Sequence, residues 1–343
     1  MSNNSNKAIT IGGVSIEPGQ RTNVDLPVAD LFTGTSLSMP ISVVCGRKKG
    51  PVLFVSAAIH GDELNGVEII RRLLKRKVLN SIAGTLVAVP IVNVHGFLNQ
   101  SRYLPDRRDL NRCFPGSPSG SIAGRLANTF LAEIVSKADY GLDLHTGAIN
   151  RSNFPQIRAN LDDEKTLALA KAFGAPVIIN ANLKDGSLRS CAVDLGIPML
   201  LYEAGEALRF DEISIRGGLR GITNVMRSIG MLPEAKSSKA LNPVEARSTS
   251  WVRAPTSGIV SWKAKLGASV SKDQILAIIS NPIGEQEGVV TALFDGIVIG
   301  RSNIPLAHEG DAMAHIAAFK SVSKAEGLVE EFATTHEPDS LDN

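Results

Sequence analysis

Between Ile41 and Gly230, short apolar runs alternate with stretches of helical period, and this alternation most narrows the folds open to the chain. Residues 52–59 are apolar on both alternating faces, as a strand buried on two sides must be. Val67, Ile70, Leu74 and Val78 follow at helical spacing, with Ile69 and Leu73 widening the stripe and Asp62 placed to cap the helix. Residues 86–92 read as a second strand and 122–135 as a second amphipathic helix. Residues 140–145, 176–179 and 199–203 read as further strands, and 211–229 as a closing helix. The expected class is α/β, a mixed, mostly parallel sheet flanked by helices. Such sheets bind ligands beyond the carboxyl ends of their strands.

Composition changes after Pro233. Residues 236–250, rich in Ser, Ala, Lys and Glu, read as a linker. It would close a catalytic domain over 1–235, of which 1–40 is an N-terminal β extension. Beyond the linker the sequence repeats: Ala254-Pro255-Thr256-Ser257-Gly258-Ile259-Val260 overlays Ala292-Leu293-Phe294-Asp295-Gly296-Ile297-Val298. Two short halves, neither able to bury its apolar face alone, predict a small pseudo-symmetric all-β module over 251–320. Its pattern resembles the biotinyl/lipoyl barrel-sandwich fold. The junction of the halves, 280–288, holds no attachment lysine, so no swinging arm is expected. Residues 321–343 are polar and acidic and read as a tail.

Composition removes several functions. A net charge of +2 and 5% aromatic residues leave neither a polyanion-binding field nor a base-stacking surface. No apolar run approaches the ~20 residues of a membrane span, and the N-terminus lacks the apolar core of a secretory signal. Three scattered cysteines, Cys45, Cys113 and Cys191, read as reduced thiols. The expectation is a cytoplasmic protein with no nucleic-acid or membrane partner; homo-oligomerisation is left open.

His60-Gly61-Asp62-Glu63 stands where a buried strand gives way to a helix. An imidazole and a carboxylate three residues apart there can converge on one divalent ion, with Gly61 permitting the turn. Asp143-Leu144-His145-Thr146-Gly147 ends another apolar strand and offers His145 as third ligand, with Asp143 on the same face to orient a group of the site. Three ligands with an open position describe a catalytic zinc site. His95, His308, His315 and His336 are weaker candidates by position. Hydrolysis also needs a base, and Tyr202-Glu203-Ala204-Gly205 ends a further apolar strand in a carboxylate. Glu203 is preferred to Glu206 because it lies closer to the strand end. Between these segments runs a polar loop, Ser101 to Gly116, carrying Arg102, Arg107, Arg108 and Arg112, suited to a substrate carboxylate or a developing oxyanion. Asp106 and Asp109 in the same loop can balance them, and Cys113 reads as a packing residue.

These four motifs, HGDE, the loop ending in DLNRCFPG, DLHTG and YEAG, resemble in order the succinylglutamate desuccinylase/aspartoacylase family of the zinc carboxypeptidase-like clan, over about residues 40–230. The resemblance implies one Zn2+ per chain on His60, Glu63 and His145, and Glu203 as general acid/base. It further implies Arg102 polarising the scissile carbonyl, and Asn111 and Arg112 gripping a substrate carboxylate. The function expected is a zinc-dependent hydrolase of desuccinylase or deacylase type, acting on the linear amide C–N bond of a small N-acyl amino acid or similar carboxylate-bearing substrate. The same chemistry serves an alternative, a metallocarboxypeptidase acting on a peptide or an isopeptide-linked glutamate. A non-catalytic scaffold is the third reading, and the complete donor set with Glu203 argues against it.

Overall fold

Each apolar run becomes a strand and each periodic stretch a helix. The structure, a computed structural model, describes residues 5–234, 243–246 and 248–337. In chain order the first part holds β1 (Ile9–Ile11), β2 (Val14–Ile16), β3 (Arg21–Asp30), β4 (Ser36–Cys45), β5 (Lys48–Ala57), α1 (Asn65–Leu74), β6 (Ala83–Val89), α2 (Val94–Leu98), α3 (Ile122–Glu133) and β7 (Tyr140–Gly147). Next come β8 (Arg151–Ala159), α4 (Glu164–Phe173), β9 (Val177–Asn180), α5 (Leu188–Asp194), β10 (Met199–Glu206) and α6 (Glu212–Ser228). The remainder is β11 (Val244–Ala246), β12 (Ser248–Arg253), β13 (Gly258–Trp262), β14 (Ser269–Val270), β15 (Ile275–Ser280), β16 (Gln286–Thr291), β17 (Gly296–Ser302), β18 (Leu306–Ala307), β19 (Ala312–Ala318) and α7 (Val322–His336).

The sheet is parallel at its centre, in the order β6-β5-β7-β10, and antiparallel outside it, where β4 and β3 extend one side and β8 the other. Both faces of β5 are buried, as its unbroken apolar run requires. Leu53 and Val55 pack with Ile69, Ile70 and Leu73 of α1 and Ile222 and Met226 of α6. Phe54 points to the other face, against Leu126 and Phe130 of α3, with Phe54 and Phe130 edge to face at 6.1 Å. The α/β class is therefore as expected, with the four central strands parallel and a smaller parallel extension where β9 joins β8.

Helix α1 departs from expectation at both ends. It begins at Asn65, and Leu64 at its cap position has no side-chain acceptor for the helix amides. Asp62 does not cap it; the carboxylate is buried, with Oδ1 lacking a partner. Val78 falls in a 3₁₀ turn, Lys77–Ser81, past the end of the stripe. The helix is instead tied by Glu68, which accepts from Arg71 and Arg72, while Arg72 also reaches Glu212 of α6 at 2.5 Å. The Arg71 bond first, and Arg72 with it, pull the Glu68 carboxyl down to about 2 against the effect of burial. A depressed carboxylate stabilises the fold above its unfolded pKa, and that contribution disappears as pH falls toward 2. Glu68→Gln is expected to cost about 1 kcal/mol at pH 7. In paired thermal melts the gap between variant and parent should narrow on acidification; a gap of undiminished size at pH 2.5 would contradict the ion-pair account.

The C-terminal repeat folds as the symmetry of its sequence requires. One sheet runs β16-β15-β13-β18, and its counterpart runs β12-β19-β17 with β14 on β17. Exchanging the two sequence halves converts one order into the other. A shared core that includes Val260, Leu276, Val298 and Ile316 fills the space between the sheets. The second of these sheets is not separate from the catalytic sheet. β17 pairs antiparallel with β8, placing Gly300 opposite Asn153 and Arg301 opposite Ser152. Most of the expected linker lies outside the described residues; its described part includes β11, which adds parallel to β9.

The expected tail is a correction. Residues 322–336 form a helix, capped by Ser321, that buries Ala325, Val329, Phe332 and His336. Phe332 lies 6.5 Å from Phe154 of β8 and closes on Gly217 of α6, where a Cβ would collide with its ring.

Candidate active site

Three parallel strands deliver the candidate residues to one rim. β5 leads into Ala58, which takes a left-handed φ of 50°, and then into His60. β7 carries Asp143 and His145, and β10 sets Glu203 directly opposite His145 in register. Gly61 is needed for a reason the sequence does not reveal. Its φ is not left-handed; a Cβ there would collide with the backbone of Gly96 and Phe97 at α2. Gly61→Ala should therefore push α2 away from His60, lowering the melting temperature of the purified protein. An unchanged melt would refute the close-approach argument.

His60, Glu63 and His145 are buried, and one donor atom from each lies within 4.8 Å of the others. Both Nδ1 atoms face the same carboxylate: His60 at 2.7 Å from Glu63 Oε1 and His145 at 2.8 Å from Oε2. Each Nε2 faces a further carboxylate, Asp109 Oδ1 at 3.1 Å from His60 and Asp143 Oδ2 at 2.6 Å from His145. Asp143 is held in turn by the Ser56 hydroxyl at 2.7 Å. Burial works against the charged form of Glu63, yet the two imidazoles overcome it and hold the carboxyl far below its ordinary range. Burial likewise opposes protonation of His145, and the Asp143 and Glu63 carboxylates overcome it, raising its pKa well above the usual histidine value.

The charge balance tests whether a divalent ion suits this donor set. Glu63, Asp109 and Asp143 bring three negative charges, and Arg102 is the cation that pairs with two of them, at 2.9 Å from Asp109 and 3.4 Å from Glu63. A metal takes its imidazoles neutral, and in that state the cluster would carry a surplus of two negative charges in a largely dry place. A divalent cation removes that surplus, and two nitrogens with a carboxylate oxygen are the donors zinc accepts.

His60, Arg102, Asn111, Arg112, His145 and Glu203 line one cavity of about 360 Å³. Arg107 and Arg108 are not among its lining residues; Arg108 is exposed and faces Asp106. Asn111 Oδ1 accepts from the Leu188 amide at 2.9 Å, which leaves its NH2 as the group to present. Glu203 accepts from Asn153 Nδ2 and has Arg158 Nε at 3.8 Å. Glu206, the competitor, turns instead to the β-module side and accepts from Asn303 at 2.7 Å and from the Asn150 amide at 3.0 Å. Cys113 donates toward the Asp109 carbonyl, and burial raises its thiol pKa, which suits a packing role.

Several lining residues escaped the sequence. Lys184, Arg189 and Arg158 bring further positive charge, and Thr249 and His315 reach the cavity from the β-module. Asp109 read there only as a balancing charge, whereas in the fold it bridges His60 and Arg102. Of the four weaker histidine candidates, only His315 lines the cavity, and it is not among the metal donors. Among the described residues no helix is long and apolar enough to cross a membrane.

Residues 49–229 match the model of the succinylglutamate desuccinylase/aspartoacylase catalytic domain. The N-alpha-acetyl-L-2,4-diaminobutyric acid deacetylase of Halomonas elongata is 27% identical over 85% of this chain and 89% of its own length. A succinylglutamate desuccinylase/aspartoacylase structure from Rhodobacter sphaeroides matches with a TM-score of 0.78 and 26% identity, covering 88% of this chain and 95% of that one. The product-bound ectoine utilization protein EutE of Ruegeria pomeroyi shares the fold, with a TM-score of 0.80 and 24% identity over 93% of this chain and 100% of that one. Together the domain match and the deacetylase relative support an amide-bond hydrolase of deacylase type. By its catalytic domain, the chain belongs to the succinylglutamate desuccinylase/aspartoacylase family.

Proposed function

We propose that the protein is a zinc-dependent deacylase of small N-acyl amino acids that carry more than one negative charge. The observation that carries this reading is the charge around the cavity. Arg102 is balanced by Asp109 and Glu63, and Arg158 lies beside Glu203. Among the described residues, Arg112, Lys184 and Arg189 then remain around the same space with no carboxylate at ion-pair distance. Burial, with Arg158 beside it, pulls the Arg189 pKa down to about 10, and burial with Arg112 and Arg158 lowers that of Lys184. Crowded cations of this kind are relieved by an anionic ligand.

His60, Glu63 and His145 would hold the zinc, which when bound supplies Lewis acidity to polarise the amide carbonyl and to acidify water. Glu203 takes the proton of the attacking water and returns it to the departing amine, a part that requires a carboxylate within reach of both. Arg102, fixed by Asp109, faces the developing oxyanion. Asn111 and Arg112 grip a substrate carboxylate, the guanidinium through a bidentate fork. A cavity of about 360 Å³ walled by Thr249 and His315 suits an N-acyl amino acid better than the tail of a peptide.

The test is a panel of N-acyl amino acids with zinc-loaded protein. N-acetyl- and N-succinyl-derivatives of aspartate and glutamate should be hydrolysed with kcat/KM at least ~10-fold above their neutral analogues, the scale of one charge-assisted hydrogen bond. Faster turnover of short peptides than of any member of the panel would overturn the assignment in favour of a carboxypeptidase.

A further inference from the structure

Across the sheet the order is β7, β10, β8, β17, β19. Read as side chains, this order runs from His145 at the metal donors, through Glu203, to Asn153 and Arg158, and then to His315 on the β-module. If the scissile bond lies between the metal donors and Glu203, as the proposed deacylase reading requires, the amine departs at Glu203. The amino-acid half of the substrate then extends toward β8 and the module. The wall it meets there includes Arg158, Thr249 and His315.

His315 is built unlike a residue that merely fills space. It is 5% exposed, and its Nδ1 is buried with no hydrogen-bond partner. A buried polar atom left unpaired ordinarily costs ~1–3 kcal/mol, so its retention in a cavity wall calls for a reason. Its ring lies flat on Trp251, with centroids 4.7 Å apart and planes within 8°, and Arg151 sits over the same indole at 4.7 Å. The stack fixes the orientation of the imidazole before any ligand arrives. Gly300 of β17 completes the fit, since a Cβ there would come within 3.1 Å of the His315 Cβ and 3.0 Å of Asn153 Oδ1. Burial foremost, then Arg158 and Arg151, push the ring's pKa down to about 3, so it is neutral at working pH and offers an N–H without adding charge.

We infer that His315, supplied by the C-terminal β-module, is a specificity residue that donates a hydrogen bond to an oxygen acceptor, a carboxylate or its amide, at the far end of the substrate's amino-acid side chain. Arg158 and the Thr249 hydroxyl stand beside it as further donors. The inference rests on the deacylase reading, because that reading sets the direction of the substrate.

The experiment compares the full-length zinc-loaded protein with His315→Ala and His315→Gln, using N-acetyl-glutamate, N-acetyl-glutamine and N-acetyl-norleucine. His315→Ala should raise KM for the two oxygen-bearing substrates by ~10-fold, one hydrogen bond's worth, with kcat within about threefold and norleucine kinetics unchanged. His315→Gln, which restores an N–H, should recover part of the loss. Equal losses on all three substrates, or no change in KM on any, would overturn the inference. Calorimetric titration with N-acetyl-glutamate keeps the two claims apart. Binding that weakens ~10-fold in His315→Ala supports the subsite even where the parent protein turns over none of the panel, an outcome that would defeat the deacylase reading alone.

Discussion

Glu203→Gln lowers kcat by at least ~100-fold while zinc remains bound, the scale at which a positioned proton acceptor acts. The side chain keeps its size, and its amide oxygen can still accept from Asn153 Nδ2, so the local packing need not change. What disappears is the ability to take a proton from water and hand it to a leaving amine. Metal analysis and a kcat series on one preparation check this. A variant that turns over at the parental rate would remove Glu203 from the reaction and return attention to Glu206, whose carboxylate is engaged with Asn303 and the Asn150 amide.

The second large effect is loss of the metal. His145→Ala removes one of three donors and leaves Asp143, buried and held by Ser56, without its imidazole. An unpaired buried carboxylate is costly, so both zinc occupancy and activity should fall to background. Asp143→Asn makes the more discriminating variant. It keeps all three donors but weakens the acceptor behind His145, and zinc affinity should drop by ~10–100-fold without disappearing. Full zinc occupancy in His145→Ala would contradict the donor set.

The residues at strand ends were legible because an apolar run that stops at a His or a Glu leaves little choice of where that side chain lies. His60, His145 and Glu203 fall in this class, and Glu63 follows His60 across a short turn. Arg158, Lys184 and Arg189 were not legible: a single cation on a strand, loop or helix looks the same in sequence whether it meets water or a cavity. Only the docking of the 181–187 loop on the arginine loop, with Gly186 packed against the Arg112 backbone, brings Lys184 to the site. Helix α7 had a signal that acidic composition concealed. Ala325, Val329, Phe332 and His336 recur at helical spacing, and that stripe is the face that is buried. The fusion of the two sheets was invisible for a different reason, since strand pairing between distant segments leaves no local pattern.

That fusion bears on the order in which the protein becomes an enzyme. Ser152 and Asn303 meet across the joint although 151 positions separate them in the chain. The outer edge of β8 takes β9 at one end and β17 at the other. During synthesis, His60, Glu63, His145 and Glu203 emerge long before β17, which pairs with the outer edge of β8, does. Until then the nascent chain presents a stretch of unpaired strand beside Glu203, the kind of edge that recruits other chains. A protein cut at residue 235 should collect in the insoluble fraction instead of surviving as a smaller enzyme.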